Sequence, residues 1–173
     1  MEYLLIETDE KNHIPYGINK NRAIDIRMIT KEGFDRLSKW NLVEMELPME
    51  YFFPDLLCRP FVMVSEEMIK TILIYQPENL YRGVKLWQRK SGTNASYFIP
   101  LLDELPCLSE RTQYNSTGNR ILKPILDKSK TGDLAVFRIK GFDKSCIVGR
   151  EDFVESILRR GIRGIRMEEV ESE

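Results

Sequence analysis

One histidine, three cysteines and a few adjacent carboxylates are the side chains of this 173-residue chain whose types suit covalent or acid–base chemistry. His13 is the only imidazole, and it stands in the polar stretch DEKNHIPYGINKNR. A serine or cysteine nucleophile needs a base held against it, and no local motif pairs His13 with either, so it reads as an exposed loop residue. Cys58, Cys107 and Cys146 lie far apart, with neither C-x-x-C nor H-x-x-x-H spacing in the chain. A zinc site built from nitrogen and sulfur ligands is therefore not expected, and the thiols read as reduced and buried in a cytoplasmic protein. Asp103 with Glu104, or Glu66 with Glu67, have the types for acid–base work. Their positions at a turn and at a helix start favour acids for structural reasons alone. A metal site made only of carboxylates stays open. No cofactor is implied, since no glycine-rich strand-to-helix turn offers a phosphate cradle. The chain is expected not to be an enzyme.

Positive charge concentrates in SILRRGIRGIRMEEVE, where Arg159, Arg160, Arg163 and Arg166 fall within eight residues. Such a cluster raises nucleic-acid binding. The local pattern offers a plainer account. Phe153, Val154, Ile157 and Leu158 fall on one helical face, with Glu151 and Asp152 at the start, Arg159 and Arg160 at the end, and Gly161 suited to a left-handed cap. After it, Ile162, Ile165, Met167 and Val170 alternate with charges as in a half-buried strand, leaving Arg163 and Arg166 to solvent. Glu168, Glu169, Glu171 and Glu173 would weaken the field a phosphate-tracking patch needs. A net charge of -1 and a pI near 6.0 give no general attraction to nucleic acid or anionic membrane.

The elements that must position these residues read as one domain over 1–173, with a sizeable core. MEYLLIETDEKNH has a short apolar run without a basic leader and reads as a first strand, Tyr3 to Glu7, rather than a signal peptide. No apolar run approaches a membrane span. TKEGFDRLSKWNL places Phe34, Leu37 and Trp40 at helical spacing, weakened by Gly33. ELPMEYFFPDLLCRP reads as irregular, with large anchors. From Pro60, FVMV predicts a strand, Ser65 an N-cap, and EEMIKTILIY a helix burying Met68, Ile69, Ile72 and Leu73. GVKLWQRKS and ASYFIPL predict a hairpin around SGTN. NRILKPIL and DLAVFRIKG predict two more strands around DKSKTG, followed by KSCIVG, the arginine-rich helix and a last strand. The sequons at Asn94 and Asn115 read as loop markers. Consecutive strands with short connections predict an α+β fold, a mainly antiparallel sheet with a few helices packed on it. MVSEEMIKTIL and VGREDFVESIL echo one another, which implies reuse of one strand–helix–strand unit rather than a true repeat.

Large amphipathic side chains dominate interface hot spots, and the chain carries Trp40, Tyr51, Phe52, Phe53, Tyr81, Trp87 and Tyr97. Core packing competes for each, above all for Phe52 and Phe53. Tyr81 and Arg82, in the connection after a helix, are the expected exposed pair. With Trp87, Arg89 and the acidic Glu168, Glu169 and Glu171 they make up the expected partner-binding set. The tail MEEVESE otherwise reads as a solvated, frayed end.

PFVMVSEEMIKTIL, LAVFRIKG, CIVGREDFVESIL and RRGIRGIRMEEV, in this order and spacing, resemble a bacterial family of immunity proteins from polymorphic toxin systems, originally a domain of unknown function. The resemblance covers about residues 60–170 and leaves 1–60 as a divergent N-terminal part. It implies a cytoplasmic protein that binds a cognate toxin protein and blocks it by occlusion, with no catalytic residue carried over. Many such toxins are basic nucleases, which would suit an acidic face. Two other readings remain: a nucleic-acid-binding regulatory module using the arginine cluster, and a small-molecule enzyme built on carboxylates and His13. Oligomeric state is not legible.

Overall fold

A computed structural model describes residues 2–11 and 13–173. The fold is mixed α+β with two helices on mostly antiparallel sheets, as expected. The strands are β1 (Tyr3–Thr8), β2 (Trp40–Glu44), β3 (Leu56–Leu57), β4 (Met63–Val64), β5 (Tyr81–Trp87), β6 (Asn94–Pro100), β7 (Glu104–Leu105), β8 (Gln113–Tyr114), β9 (Ile121–Lys123), β10 (Ile125–Leu126), β11 (Val136–Ile139), β12 (Ile147–Arg150) and β13 (Ile165–Ser172). The helices are α1 (Glu66–Tyr75) and α2 (Glu151–Arg159). A first sheet runs β10-β13-β1-β12-β11-β7, a second runs β2-β5-β6-β4-β3, and β8 and β9 form a separate ribbon.

The echoed segments fold alike. In one, β4 leads through α1 to β5, and β6 lies between the two strands, antiparallel to both. In the other, β12 leads through α2 to β13, and β1 lies between them, antiparallel to both. Each helix is built by the signals in its sequence. Ser65 Oγ accepts from the Met68 N–H at 3.3 Å, and Glu66 and Glu67 occupy the positive first turn of α1. α2 ends as its glycine requires: Gly161 takes φ +73, its N–H donates to Leu158, and Ile162 donates to Ile157, so two carbonyls that end the helix find partners.

Side-chain alternation divides the core. Leu4, Ile6 and Ile147 join a cluster with α1 and α2, whereas Tyr3, Leu5 and Val148 join a second cluster with Cys107, Leu126 and Phe137 on the opposite face of the first sheet. Val84, Leu86, Tyr97 and Ile99 do the same for the second sheet, packing against Ile24, Phe34 and Met45. The helices pack on each other, α1 on β6 and α2 on β12 and β1, in a cluster that takes residues from both sheets. Gln76, which caps α1, strengthens this joint: its Oε1 accepts from the Ala135 N–H at 2.9 Å and the Val136 N–H at 2.8 Å. Both amides belong to fully buried residues, so Gln76→Ala is expected to cost about 2 kcal/mol, read as a lower urea midpoint with an unchanged slope. Gln76→Glu, which keeps the acceptor oxygen, should recover part of the loss.

Several expectations are corrected. Phe34–Leu37–Trp40 is not a helix: only a 3-10 turn forms at Phe34–Arg36, and Trp40 opens β2. NRILKPIL splits into β9 and β10 at Pro124, and β10 edges the first sheet, separated from β11 by β13, β1 and β12 and paired in parallel with β13. Asn94 starts strand β6 rather than marking a loop. The acidic tail is not frayed, because β13 runs to Ser172 and Glu173 bonds through its backbone to Leu126 and Lys128.

One buried carboxylate ties the tail to the start of the chain. Glu7 of β1 is 8% exposed and pairs with Lys144 and Arg166. Burial alone would raise its pKa, but the hydrogen bonds from Lys144 and Arg166 together outweigh it, and the carboxyl titrates below its ordinary value. A lowered folded-state pKa contributes stability that is complete above the unfolded value and lost as pH falls through the folded one. Glu7→Gln is therefore expected to cost about 2 kcal/mol at neutral pH and to flatten the acid limb of a stability–pH profile below about pH 4.5.

Candidate binding surface

The second sheet presents one incompletely covered face. Trp40 lies opposite Gly83, Leu42 opposite Lys85, and Gly83 opposite Phe98, so these residues share a side with Tyr81. α1 packs on β6, at the end of this face near Val64 and Phe98. Over β2 and β5 the face is open: Trp40 is 55% exposed, Leu42 57% and Tyr81 43%. Phe98 joins the two outer rings edge-on, 5.6 Å from Trp40 and 5.9 Å from Tyr81. Gly83 makes the arrangement feasible, since a Cβ there would lie 2.5 Å from the Trp40 ring. The result is a pre-positioned aromatic surface whose rings lose little freedom on contact.

The expected partner-binding residues are divided by the fold. Tyr81, Arg82, Trp87 and Arg89 lie on or just after β5, while Glu168, Glu169 and Glu171 lie on β13 in the other sheet. Tyr81 and Arg82 are not in a connection but in the strand itself, and they point to opposite faces. Only Tyr81 is exposed. The Arg82 side chain is 17% exposed, its guanidinium sits 4.6 Å over the Phe34 ring, and its Nε donates to the Leu37 carbonyl, so it braces the 3-10 turn. Trp87 is half-buried, with its indole nitrogen shielded from solvent, and Arg89 lies 5.8 Å over its ring while pairing with Glu44. Glu171 is held by Lys123 at 2.8 Å and Arg111 at 3.4 Å, which places its carboxyl below the usual range, the Lys123 hydrogen bond contributing most. Glu168 meets Lys144 at 3.4 Å, and Glu169 is exposed without an ion pair among the described residues.

The other large aromatics are anchors. Tyr97 is buried and donates to the Pro54 carbonyl at 2.6 Å, and Phe52 and Phe53 are half-buried. Tyr51 is exposed, edge-on to Phe53 at 5.4 Å. Leu42, absent from the aromatic inventory, is the residue that sequence reading missed. The signal was present as Trp40-x-Leu42, two large apolar residues on one side of a strand.

The four arginines are exposed, and each has a partner. Arg159 meets Glu155 at 3.4 Å, Arg160 bonds to Ser156, Arg163 lies 5.3 Å over the Phe52 ring, and Arg166 pairs with Glu7. A cavity of about 810 Å³ opens where the β3–β4 turn and the β6–β7 connection face the β11–β12 loop. Asp103 and Glu104 line it, but Lys31 holds the first at 2.9 Å and Arg138 the second at 3.1 Å. Cys58 and Cys146 also line it, and burial pushes their thiols up to about 11 and about 12. Burial likewise raises Cys107 to about 11. All three thiols are buried and protonated at neutral pH, which makes them poor nucleophiles. His13 is exposed, its Nδ1 3.0 Å from the Glu50 carbonyl oxygen. Among the described residues no His, Cys, Asp and Glu side chains gather into a group that could hold a metal ion, and no helix is long and apolar enough to cross a membrane.

The second sheet thus carries fixed, partly exposed rings, while the separate cavity carries ion-paired carboxylates and neutral thiols. Compared with protein-family models the chain matches none, and compared with curated proteins it finds no relative.

Proposed function

We propose that the chain is an immunity protein that binds a cognate bacterial toxin in the cytoplasm and neutralises it by occlusion, with no catalysis of its own. The observation that carries this reading is the open aromatic face of the second sheet, Trp40, Leu42 and Tyr81 steadied by Phe98. Partly exposed tryptophan and tyrosine on a rigid support are the residues most often found at the energetic centre of protein–protein interfaces. An inhibitor that only covers a cleft needs such a centre within a total buried area of about 1,600 Å². The order of motifs from Pro60 to Val170 supports the same reading.

The test is co-purification of the tagged protein with the toxin domains encoded beside its gene, followed by calorimetry and a toxicity assay. A stoichiometric complex of roughly nanomolar affinity, with loss of toxicity, is the expected result. A second reading has one observation in its favour, since a sheet face bearing exposed rings is also how single-stranded RNA is stacked. Salt-dependent RNA binding that quenches tryptophan fluorescence, with no toxin bound, would replace the first reading by this one.

A further inference from the structure

β13 has a vacant edge. On one side it pairs with β1 from Ile165 to Val170, and on the other only Glu171 and Ser172 meet a strand, β10. Two observations fix which peptide groups face outward. The Gly164 carbonyl accepts from Asp9 on the β1 side, whereas Glu173 donates to Leu126 and accepts from Lys128 on the β10 side. Successive residues of a strand turn their peptide groups to alternate edges. Ile165, Met167 and Glu169 therefore direct N–H and C=O away from β1, and among the described residues no hydrogen bond outside the β1 ladder reaches them.

The vacancy has definite ends. At one end Asp55 closes the edge, its N–H donating to the Arg163 carbonyl at 3.0 Å and its Oδ2 accepting from the Arg163 N–H at 2.7 Å. At the other end β10 begins after Pro124, which has no N–H with which to extend the ladder toward Glu169. The open stretch from Ile165 to Glu169 is about 17 Å long at the usual rise per residue. Its charge is uneven: Arg166 is engaged with Glu7, and among the described residues Glu168 pairs with Lys144 at 3.4 Å while Glu169 has no ion pair.

We infer that the open edge of β13 is a strand-addition site, which takes a short extended segment of the bound partner carrying lysine or arginine opposite Glu168 and Glu169. Backbone groups supply the affinity in such pairing and flanking charges supply the selection. The bounded length explains why the site takes a segment of about five residues rather than a whole sheet edge. A second copy of this chain is disfavoured because its own Asp55 loop and β10 would meet those of the first at both ends of an antiparallel pairing. The identity of the partner as a toxin rests on the function proposed above; the chemistry of the site does not.

The probe is the acetylated, amidated pentapeptide Val-Lys-Lys-Val-Val, whose adjacent lysines point to opposite faces as Glu168 and Glu169 do, titrated into the whole protein and followed by amide NMR. The expected result is a saturable shift of the Ile165, Met167 and Glu169 amides, smaller for Arg166 and Glu168, and lost when alternate peptide nitrogens are methylated or lysine is replaced by glutamate. Glu169→Pro should keep the wild-type melting temperature within a few degrees, because the N–H it removes has no partner in the free protein, and weaken peptide binding by about tenfold or more. Glu168→Pro breaks the β1 ladder and should unfold the chain. The inference is overturned if the outward amides do not respond at millimolar peptide, or if the methylated peptide shifts them equally. With a neighbouring toxin in hand, full neutralisation by Glu169→Pro would sink this site while sparing the immunity reading; wild-type protein that neutralises nothing would sink the immunity reading, and the peptide titration would still decide the site.

Discussion

Truncating Phe153 to alanine is expected to lower stability by about 3–5 kcal/mol, which at this chain length moves the melting temperature down by roughly 10 °C or more. Phe153 is fully buried on α2, with the Tyr75 ring of α1 edge-on at 5.6 Å. It belongs to the cluster that contains Met68, Ile69 and Ile72 of α1, Ile6 and Ile147 of the first sheet, and Leu56 and Val64 of the second. Its ring thus serves the one apolar region where both strand–helix–strand units meet, and the cavity left by its loss opens onto both. The surroundings have little freedom to collapse, because Gly149 already brings backbone so close that a Cβ there would lie 3.2 Å from the Phe153 ring. Phe153→Leu, which refills most of the volume, should cost about 1–2 kcal/mol. A loss under 1 kcal/mol for alanine, read from urea denaturation, would mean that the two units are stabilised independently of this joint.

The second large effect is on binding rather than stability. Trp40→Ala and Tyr81→Ala are each expected to weaken the complex with the cognate toxin domain by about 30-fold or more, the hot-spot threshold of 2 kcal/mol. Both rings are partly exposed, so melting temperatures should stay close to wild type. The double variant tests whether they act together: they touch through Phe98 rather than directly, so the combined loss should be smaller than the sum if one ring depends on the other for its pose. Calorimetry supplies the affinities. Unchanged affinity in both variants would remove the second sheet from the interface, and the acidic edge of β13 would then have to carry it.

Local elements were readable where a short-range signal names them. Ser65 before two glutamates and an apolar helical face identifies α1, and Gly161 after two arginines closes α2. The resemblance of MVSEEMIKTIL to VGREDFVESIL was readable for the same reason. The strand beside β5 was readable as well, since SGTN announces the β5–β6 hairpin, but the strand beside β13 was not, because β1 arrives from the far end of the chain. Long-range pairing leaves no mark in a window of ten residues. The periodicity of Phe34, Leu37 and Trp40 pointed to a helix that the tertiary structure overrides: Gly33 approaches the Met28 backbone so closely that a Cβ would lie 2.8 Å away, and Trp40 is drawn into pairing with Gly83.

The candidate surface was legible in residue type but not in exposure. Tyr81 stands at the surface and Arg82, its neighbour, does not, since strand alternation decides the matter and the register was unknown. Trp40 is exposed because α1 covers β6 and stops short of β2. The acidic tail divides similarly: Glu171 is neutralised by Lys123 of β9 and by Arg111 before β8, both distant in sequence, while Glu169 has no ion pair among the described residues.

The placement of β1 between β12 and β13 bears on chain order. Tyr3 lies opposite Val170 as Asn94 lies opposite Trp87, so the second unit is the first with its hairpin cut and its central strand supplied from the other end. The two units are circular permutants of one another in architecture. A short flexible linker from β13 to β1 would restore the hairpin, and opening the exposed turn at Ser91-Gly92 would exchange the arrangement of the two halves while keeping every strand in place. The same adjacency means that proteins fused before β1 and after β13 leave from neighbouring points on the first sheet, which makes a paired fusion at these positions a sensor of the integrity of that sheet.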